Sequence, residues 1–334
     1  MELNLPARND IIEKIFNIRS ESDFEKCCLW TFQYQVLNSK VYSDWVKALG
    51  VEANKVSTIE EIPFLPISFF KTHQVTTAQA PFDIEFSSSG TTGTSTSKHF
   101  VKDADLYKRS FISAFEQQYG DSGNCVIIGL LPSYLERTGS SLIYMCEELI
   151  SKSKRPESGF YLNDFEKLRS LLSLLKQQNQ KTVLFGVAYA LLDFAELHPP
   201  TWNNLYVIET GGMKGRRKEM VRDELHEEIR NNWPVLHLHS EYGMTELMSQ
   251  AYYDDNKSFV CPPWMQLKIR DTTDPFCYLD VNKTGGINII DLANLDSCSF
   301  IATQDLGKRF NNGRFEVLGR FDHSDIRGCN LLVQ

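Results

Sequence analysis

From residue 124 to about 240 the chain alternates short apolar runs with amphipathic segments, and this rhythm limits the possible folds more than any other feature. "CVIIGLL" reads as a buried strand, "GSSLIYMCEELISKS" as a helix and "GFYL" as a short strand. "NDFEKLRSLLSLLKQQNQ" reads as a helix capped by Asn163 or Asp164. "KTVLFG", "LYVIE" and "PVLHLHS" then read as strands, separated by the helices "VAYALLDFAEL" and "KGRRKEMVRDELHEEIRNN". Strands alternating with helices imply crossover units, and so an α/β fold built on a parallel sheet covered on both faces.

The flanks differ from this middle. Residues 8 to 50 read as helices that stop at Gly50, and "EEIPFLPISFFKTHQV" reads as an extended connector because of its two prolines. "FDIEF" and "KHFV" read as strands on either side of a polar loop, and "KDADLYKRSFISAFEQQYG" as a helix closed by Gly120. Beyond residue 249, "QAYYDD", "WMQLKIRD", "FCYLDVN", "GGINIIDL", "SCSFIATQD" and "RFEVLGR" read as short strands. The expected organisation is one body. It has a helical amino-terminal part (1–80), an α/β core (81–248), a β-rich subdomain (249–320) and a short tail (321–334).

With 334 residues, 42% of them hydrophobic, the chain can bury a large core. A net charge of −8 without a basic stripe argues against a nucleic-acid binder. The eight cysteines form no CxxC pair, and several lie in apolar runs, which fits reduced, mostly buried thiols in a cytoplasmic protein. "MELNLPARNDIIEKIF" does not read as a secretory signal, and no apolar run reaches the roughly 20 residues needed to cross a bilayer.

The loop "SSSGTTGTSTSKHF", Ser87 to Phe100, cannot contribute to a core. It offers backbone N–H groups, hydroxyls and two glycines, a composition that fits an anionic phosphate. The Walker A spacing fails, because only two residues separate Gly90 from Gly93 and no glycine precedes Lys98. The competing reading is a solvated surface turn. His237 and His239 share one side of a strand, but no cysteine or third histidine lies near them in sequence, so zinc is not expected.

Further motifs accompany the loop: "ETGGMKG" at 209–215, "HSEYGMTELM" at 239–248, "TQDLG" at 303–307 and "LGRFDHSDIRGC" at 318–329. Together and in this order they resemble the adenylate-forming superfamily of acyl-CoA synthetases, aryl-CoA ligases and luciferases. Within it, "PFLPISFFKTHQV", "SSSGTTGTSTSK", "ETGGMKGR", "YGMTE" and "GRFDHSDIRGCNLLVQ" are most similar to LuxE-type acyl-protein synthetases. The resemblance implies a parallel α/β large domain with a β-rich carboxyl part, and no room for the mobile carboxyl domain of ordinary family members. Ser88, Ser89, Gly90, Thr91, Thr92 and Gly93 would hold ATP phosphates, with Lys98 assisting. Gly211, Gly212 and Met213 would line the adenine, and Tyr242 of "YGMTE" would stack on it, with Gly243 and Met244 beside it. Thr245 would reach the α-phosphate and Glu246 would ligate Mg2+. Asp305, in a motif where Gln304 replaces the usual glycine, would accept the ribose hydroxyls, and Arg320 would contact ribose or phosphate. Cys329 would carry the acyl group as a thioester.

The implied activity is ATP-dependent conversion of a carboxylic acid, a fatty acid in that family, to an acyl-adenylate. Transfer to Cys329 and then to an acyl reductase or another protein acceptor would follow. The alternatives are transfer to a free thiol such as CoA or a carrier protein, and a nucleotide-binding module that has lost its chemistry.

Overall fold

The computed structural model describes residues 5–88, 96–131, 139–162, 164–211 and 220–320. The amino-terminal part is helical as expected: α1 (Arg8–Phe16), α2 (Glu21–Asn38) and α3 (Lys40–Ala48). Ser20 and Ser39 cap α2 and α3 by accepting backbone N–H groups of Asp23 and Tyr42. Gly50, at φ +69°, turns the chain out of the last helix. The proline-rich connector is only partly extended. It contributes strand β1 (Leu65–Pro66) and one helical turn, α4 (Phe69–Thr72). The strands β2 (Ile84–Ser87) and β3 (Lys98–Val101) pair antiparallel around the Ser/Thr/Gly loop, and α5 (Ala104–Tyr119) follows, ending at Gly120.

The α/β rhythm is realised as β4 (Val126–Leu130), α6 (Ser141–Ser153), β5 (Gly159–Phe160), α7 (Phe165–Gln177), β6 (Thr182–Gly186), α8 (Ala188–Ala195), β7 (Leu205–Glu209), α9 (Arg222–Asn232) and β8 (His237–Tyr242). Asp164 is the residue that caps α7, accepting the N–H of Lys167 at 3.1 Å. β4 and β6 are buried along their whole length, the pattern of strands covered on both faces. The helix read over "KGRRKEMVRDELHEEIRNN" is seen from Arg222 onward, and β8 runs to Tyr242 rather than stopping at Ser240.

The last third supplies β9 (Ala251–Tyr253), β10 (Phe259–Val260), β11 (Met265–Arg270), β12 (Thr284–Asp291), β13 (Phe300–Arg309) and β14 (Phe315–Arg320). "FCYLDVN" does not form a strand; only Tyr278 bridges to Arg270. The carboxylates of Asp271 and Asp274 accept the N–H groups of Thr273, Asp274 and Phe276, which commits that segment to turns.

Among the described residues one sheet holds twelve strands, in the order β11-β12-β13-β14-β10-β9-β8-β7-β6-β4-β5, with β1 parallel to β13. Strands β4 to β8 are parallel, and from β8 to β9 onward the pairing is antiparallel. The β-rich stretch after residue 248 is therefore continuous with the α/β core at the level of backbone hydrogen bonds. Strand β14 sits between β10 and β13.

The amino-terminal helices dock on this sheet through Gln35 and Phe300. The Gln35 amide donates to the carbonyls of Asn294 and Leu295 and to Ser299 Oγ, and its oxygen accepts the Ser299 N–H at 3.1 Å. The Phe300 ring meets those of Phe32, Tyr42 and Phe64 at centroid distances of 6.0–6.4 Å. No described helix is long and apolar enough to cross a membrane. Cys27, Cys28, Cys125, Cys146 and Cys298 are buried, Cys261 is half-buried and Cys277 exposed, all unpaired.

Phe315 is fully buried in β14 and stacks on Phe259 at 5.0 Å. Phe315→Ala is expected to cost about 3–5 kcal/mol through lost burial and the cavity left behind. A lower urea midpoint at unchanged m-value would report this, and a loss of unfolding free energy under about 1 kcal/mol would show that β14 is not part of the cooperative core.

Candidate active site

A cleft of about 1210 Å3 opens where the parallel half of the sheet meets the antiparallel half. Its walls come from the carboxyl ends of β7 and β8, from β13 and β14, and from the β2–β3 hairpin. Carboxyl ends of parallel strands are where ligands gather in open α/β sheets, because side chains and free backbone groups converge there.

Tyr242 ends β8, Asp305 lies in β13 and Arg320 ends β14, directly across from Asp305 in the ladder. The Tyr242 hydroxyl donates to Asp305 Oδ2 at 2.7 Å, and Arg320 Nε donates to Asp305 Oδ1 at 3.1 Å. Burial beside Asp305 holds the Tyr242 phenol well above its ordinary pKa, so it remains a donor. The Tyr242 ring lies edge-on to Phe259 and Phe315, at 5.8 and 5.6 Å. Asp305 is only 6% exposed, whereas the Arg320 side chain is 79% exposed, so the arginine is the partner that a ligand could displace.

The turn after β8 carries Gly243, Met244, Thr245 and Glu246, all of which line the cleft. Three groups unremarkable in the sequence hold it. His99 of β3, neutral because burial lowers its pKa to about 4, donates from Nδ1 to the Thr245 carbonyl at 2.7 Å. Asn294 Nδ2 donates to the Glu246 carbonyl at 2.8 Å. The Asp291 carboxylate accepts the N–H groups of Met248 and Ser249, at 2.8 and 2.9 Å, and the Ser249 hydroxyl at 2.6 Å. Glu246 itself is buried, and burial raises its pKa against the opposing effects of a Ser97 hydroxyl, Arg320 and Lys71.

The hairpin brings Ser88 and Ser97 to the same cleft; the Ser97 N–H donates to Ser88 Oγ at 2.9 Å. Lys98 points elsewhere. Its ammonium pairs with Glu85 at 2.7 Å with both side chains about half exposed, and among the described residues the lysine on the cleft wall is Lys71 of α4. Gly211, at φ +77°, lines the cleft after β7, and its N–H donates to Glu209. Ser89, Gly90, Thr91, Thr92, Gly93, Gly212, Met213 and Cys329 lie outside the described residues.

The cleft also holds two acidic groups that sequence reasoning passed over. Glu209 ends β7 and accepts from Gly211 and the Ser240 hydroxyl; burial raises its pKa. Glu241 precedes Tyr242, and burial, with Glu209 beside it, pushes its carboxyl up to about 8. Both stand within motifs read for other residues, which is why neither was noticed. At the opposite end of β8, His237 Nδ1 lies 2.6 Å from Asp255 Oδ2, and His239 Nε2 lies 3.4 Å from Asp255 Oδ1. The three donor atoms lie within 4.8 Å of one another, with the carboxylate coming from the β9–β10 turn.

No family model and no curated protein sequence matches the chain. Solved structures do. A 2-hydroxyisobutyryl-CoA ligase in complex with 2-HIB-AMP and CoA, in its thioesterification state, superposes with TM-score 0.66 at 12% identity. The superposition covers 97% of this chain and 74% of that one. ATP-bound MatB from Rhodopseudomonas palustris gives TM-score 0.53 at 18% identity over 72% of this chain and 49% of that one. The chain thus has the fold of adenylate-forming ligases.

A Glu241 carboxyl raised from 4.5 to about 8 binds its proton more tightly in the folded chain than in the unfolded one. Its contribution to stability is complete below about pH 4.5 and is lost as pH rises to about 8. Glu241→Gln removes this dependence. Denaturant titrations should therefore show wild type losing up to about 1.4 kcal/mol per pH unit relative to the variant across that window. Parallel pH curves for the two proteins would contradict the assignment.

Proposed function

We propose that the protein is an AMP-forming ligase that activates a carboxylic acid with ATP. The observation that carries this reading is convergence: Ser88 and Ser97, at the ends of the hydroxyl-rich loop, face one cleft with Thr245, Glu246 and Asp305. These elements are far apart in sequence and have the chemistry to bind phosphate, cation and ribose. The fold shared with ligases solved with an acyl-AMP or ATP supports the same reading.

In this scheme Asp305 accepts the ribose hydroxyls after Arg320 swings from its Oδ1, and the arginine, still at the rim, meets phosphate. Glu246 fits a hard cation, being a buried carboxylate whose neutral form is favoured until positive charge arrives. A divalent cation there would neutralise phosphate oxygens during the displacement. Thr245, fixed by His99, offers its hydroxyl to the α-phosphate. The substrate carboxylate oxygen bonds to the α-phosphorus, the bond to the β-phosphate oxygen breaks, and pyrophosphate leaves. The chain contributes by positioning and by charge compensation.

The acyl-adenylate is then open to a thiolate, which bonds to the acyl carbon as AMP departs with the electron pair. The LuxE-like carboxyl motif nominates Cys329 as that thiolate, making the protein an acyl-protein synthetase that hands its acyl group to a further protein. Transfer to a free thiol is the second reading, and it is favoured by the CoA bound to the 2-hydroxyisobutyryl-CoA ligase that shares the fold. A fatty acid is the substrate that the LuxE likeness implies.

Carboxylate-dependent exchange of labelled pyrophosphate into ATP tests the first step. Asp305→Ala should lower kcat/KM for ATP by about 150-fold or more, corresponding to two lost hydrogen bonds to an ionised acceptor at about 1.5 kcal/mol or more each. Glu246→Gln should lower kcat by about 100-fold. No exchange with any acid in a broad panel would leave a nucleotide-binding module instead. For the second step, intact mass after incubation with acid and Mg·ATP should show a hydroxylamine-labile adduct that Cys329→Ser abolishes while exchange persists. Unchanged CoA turnover in that variant, without an adduct, would select the free-thiol reading.

A further inference from the structure

The cleft extends past the nucleotide-binding groups to a chamber between α5, α6 and β8, walled by Tyr107, Leu142 and Met145. An acyl chain would lie there, and those three side chains alone would suit a hydrocarbon. Its polar members do not. Glu241 lines the chamber, and its carboxyl has no hydrogen-bonding or ion-pair partner among the described residues; its strongest electrostatic neighbour is another acid, Glu209. Arg222 compensates Glu209, while its guanidinium donates to the Val317 carbonyl at 2.8 Å and lies over the rings of Tyr253 and Phe259. Its charge does not offset the burial of Glu241.

A second, independent observation points the same way. Gln250 also lines the cleft, is 5% exposed, and its Oε1 has no partner among the described residues. Across the ladder from Glu241 stands Tyr252, whose buried hydroxyl is also unpartnered. Gly243 joins these groups sterically, since a Cβ there would collide with Glu241 Oε1 and come within 3.3 Å of Gln250 Cγ. The Glu241 carboxyl and the Gln250 side chain thus both approach Gly243, and neither the carboxyl nor Gln250 Oε1 has a hydrogen-bonding partner among the described residues. Native proteins rarely leave a buried oxygen such as Gln250 Oε1 unpaired, because it would cost its full desolvation, whereas Glu241 is half-buried with its carboxyl open to the cleft. A hydrocarbon chain filling the chamber would seal them off unpaired.

We infer that the acid activated here carries a protonated amine, which Glu241 pairs with and Gln250 Oε1 helps to bind. An ammonium has three donors and no acceptor, the complement of an ionised Glu241 carboxylate and the Gln250 oxygen. It also supplies the positive charge that Glu241 lacks. The amine lies close to the reacting carboxyl, because the Glu241 carboxyl rests on Gly243, only two residues before Thr245. Two Cα steps of 3.8 Å keep Gly243 and Thr245 within about 7.6 Å of each other, a spacing that favours a short amino acid over a long chain. The inference rests on the adenylation reading and replaces its fatty acid with an amino-substituted one.

Pyrophosphate exchange with matched pairs tests it: α-, β- and γ-amino acids against their des-amino counterparts, with straight-chain fatty acids alongside. Wild type should favour at least one amino acid over its des-amino partner by 100-fold or more in kcat/KM. Glu241→Gln should cut that ratio at least tenfold, chiefly through KM of the amino acid. Equal or better exchange with des-amino or fatty acids would overturn the inference while leaving adenylation standing. A ratio unchanged in Glu241→Gln would overturn it as well. No exchange with any acid would defeat the adenylation reading and this one together. Should the variant not fold, the wild-type selectivity alone decides.

Discussion

The buried Asp291 carboxylate is the constraint on which the rest of the site depends. It accepts two backbone N–H groups and one hydroxyl from Met248 and Ser249, and so fixes the far end of the turn that starts at Gly243. Burial raises its pKa to about 6, against the pull of those three donors. Asn294, three residues on, and His99, from a different strand, clamp the same turn at the carbonyls of Glu246 and Thr245. The Asn294 carbonyl in turn accepts from Gln35 of α2, so the amino-terminal helices brace the turn from behind. A functional segment without regular secondary structure is thereby held as firmly as a strand, which is what positioning catalysis requires.

Much of the architecture was legible in the sequence because its signals are local. Apolar runs alternating with amphipathic segments gave the parallel half, and caps such as Asp164 and stops such as Gly50 and Gly120 marked helix ends where they were read. The misread segments show where local signals fail. "FCYLDVN" has strand-like residues, but aspartates just before it capture the backbone N–H groups a ladder would use. Strand β10, only two residues long, carries too little pattern to be noticed and exists because β9 and β14 flank it.

The site divides along the same line. Residues inside compact motifs, such as Tyr242, Thr245, Glu246 and Asp305, could be singled out from sequence, and the fold brings them to one cleft. Their supports could not be found this way. His99 reaches Thr245 across 146 positions and Asn294 across 195, and nothing near either residue announces the partner. Lys98, conspicuous in sequence beside the polar loop, faces away on its hairpin, while Lys71 reaches the wall from a one-turn helix. Lys98 stands opposite the cleft-lining Ser87, yet its ammonium is turned along the hairpin to the Glu85 carboxylate on the same face, so its charge is spent there.

The place of β14 has a consequence for how such a chain comes into being. Among the described residues it is the last strand of the sheet in sequence, it is seated between β10 and β13, and no other ladder joins the two portions of the sheet. Until residues 315–320 leave the ribosome, the nascent protein holds two separate β-surfaces, each with a raw edge of unsatisfied N–H and C=O groups. A keystone delivered so late exposes the newborn polypeptide to edge-to-edge misassociation, and a chaperone that shields those borders would have its greatest effect in that interval.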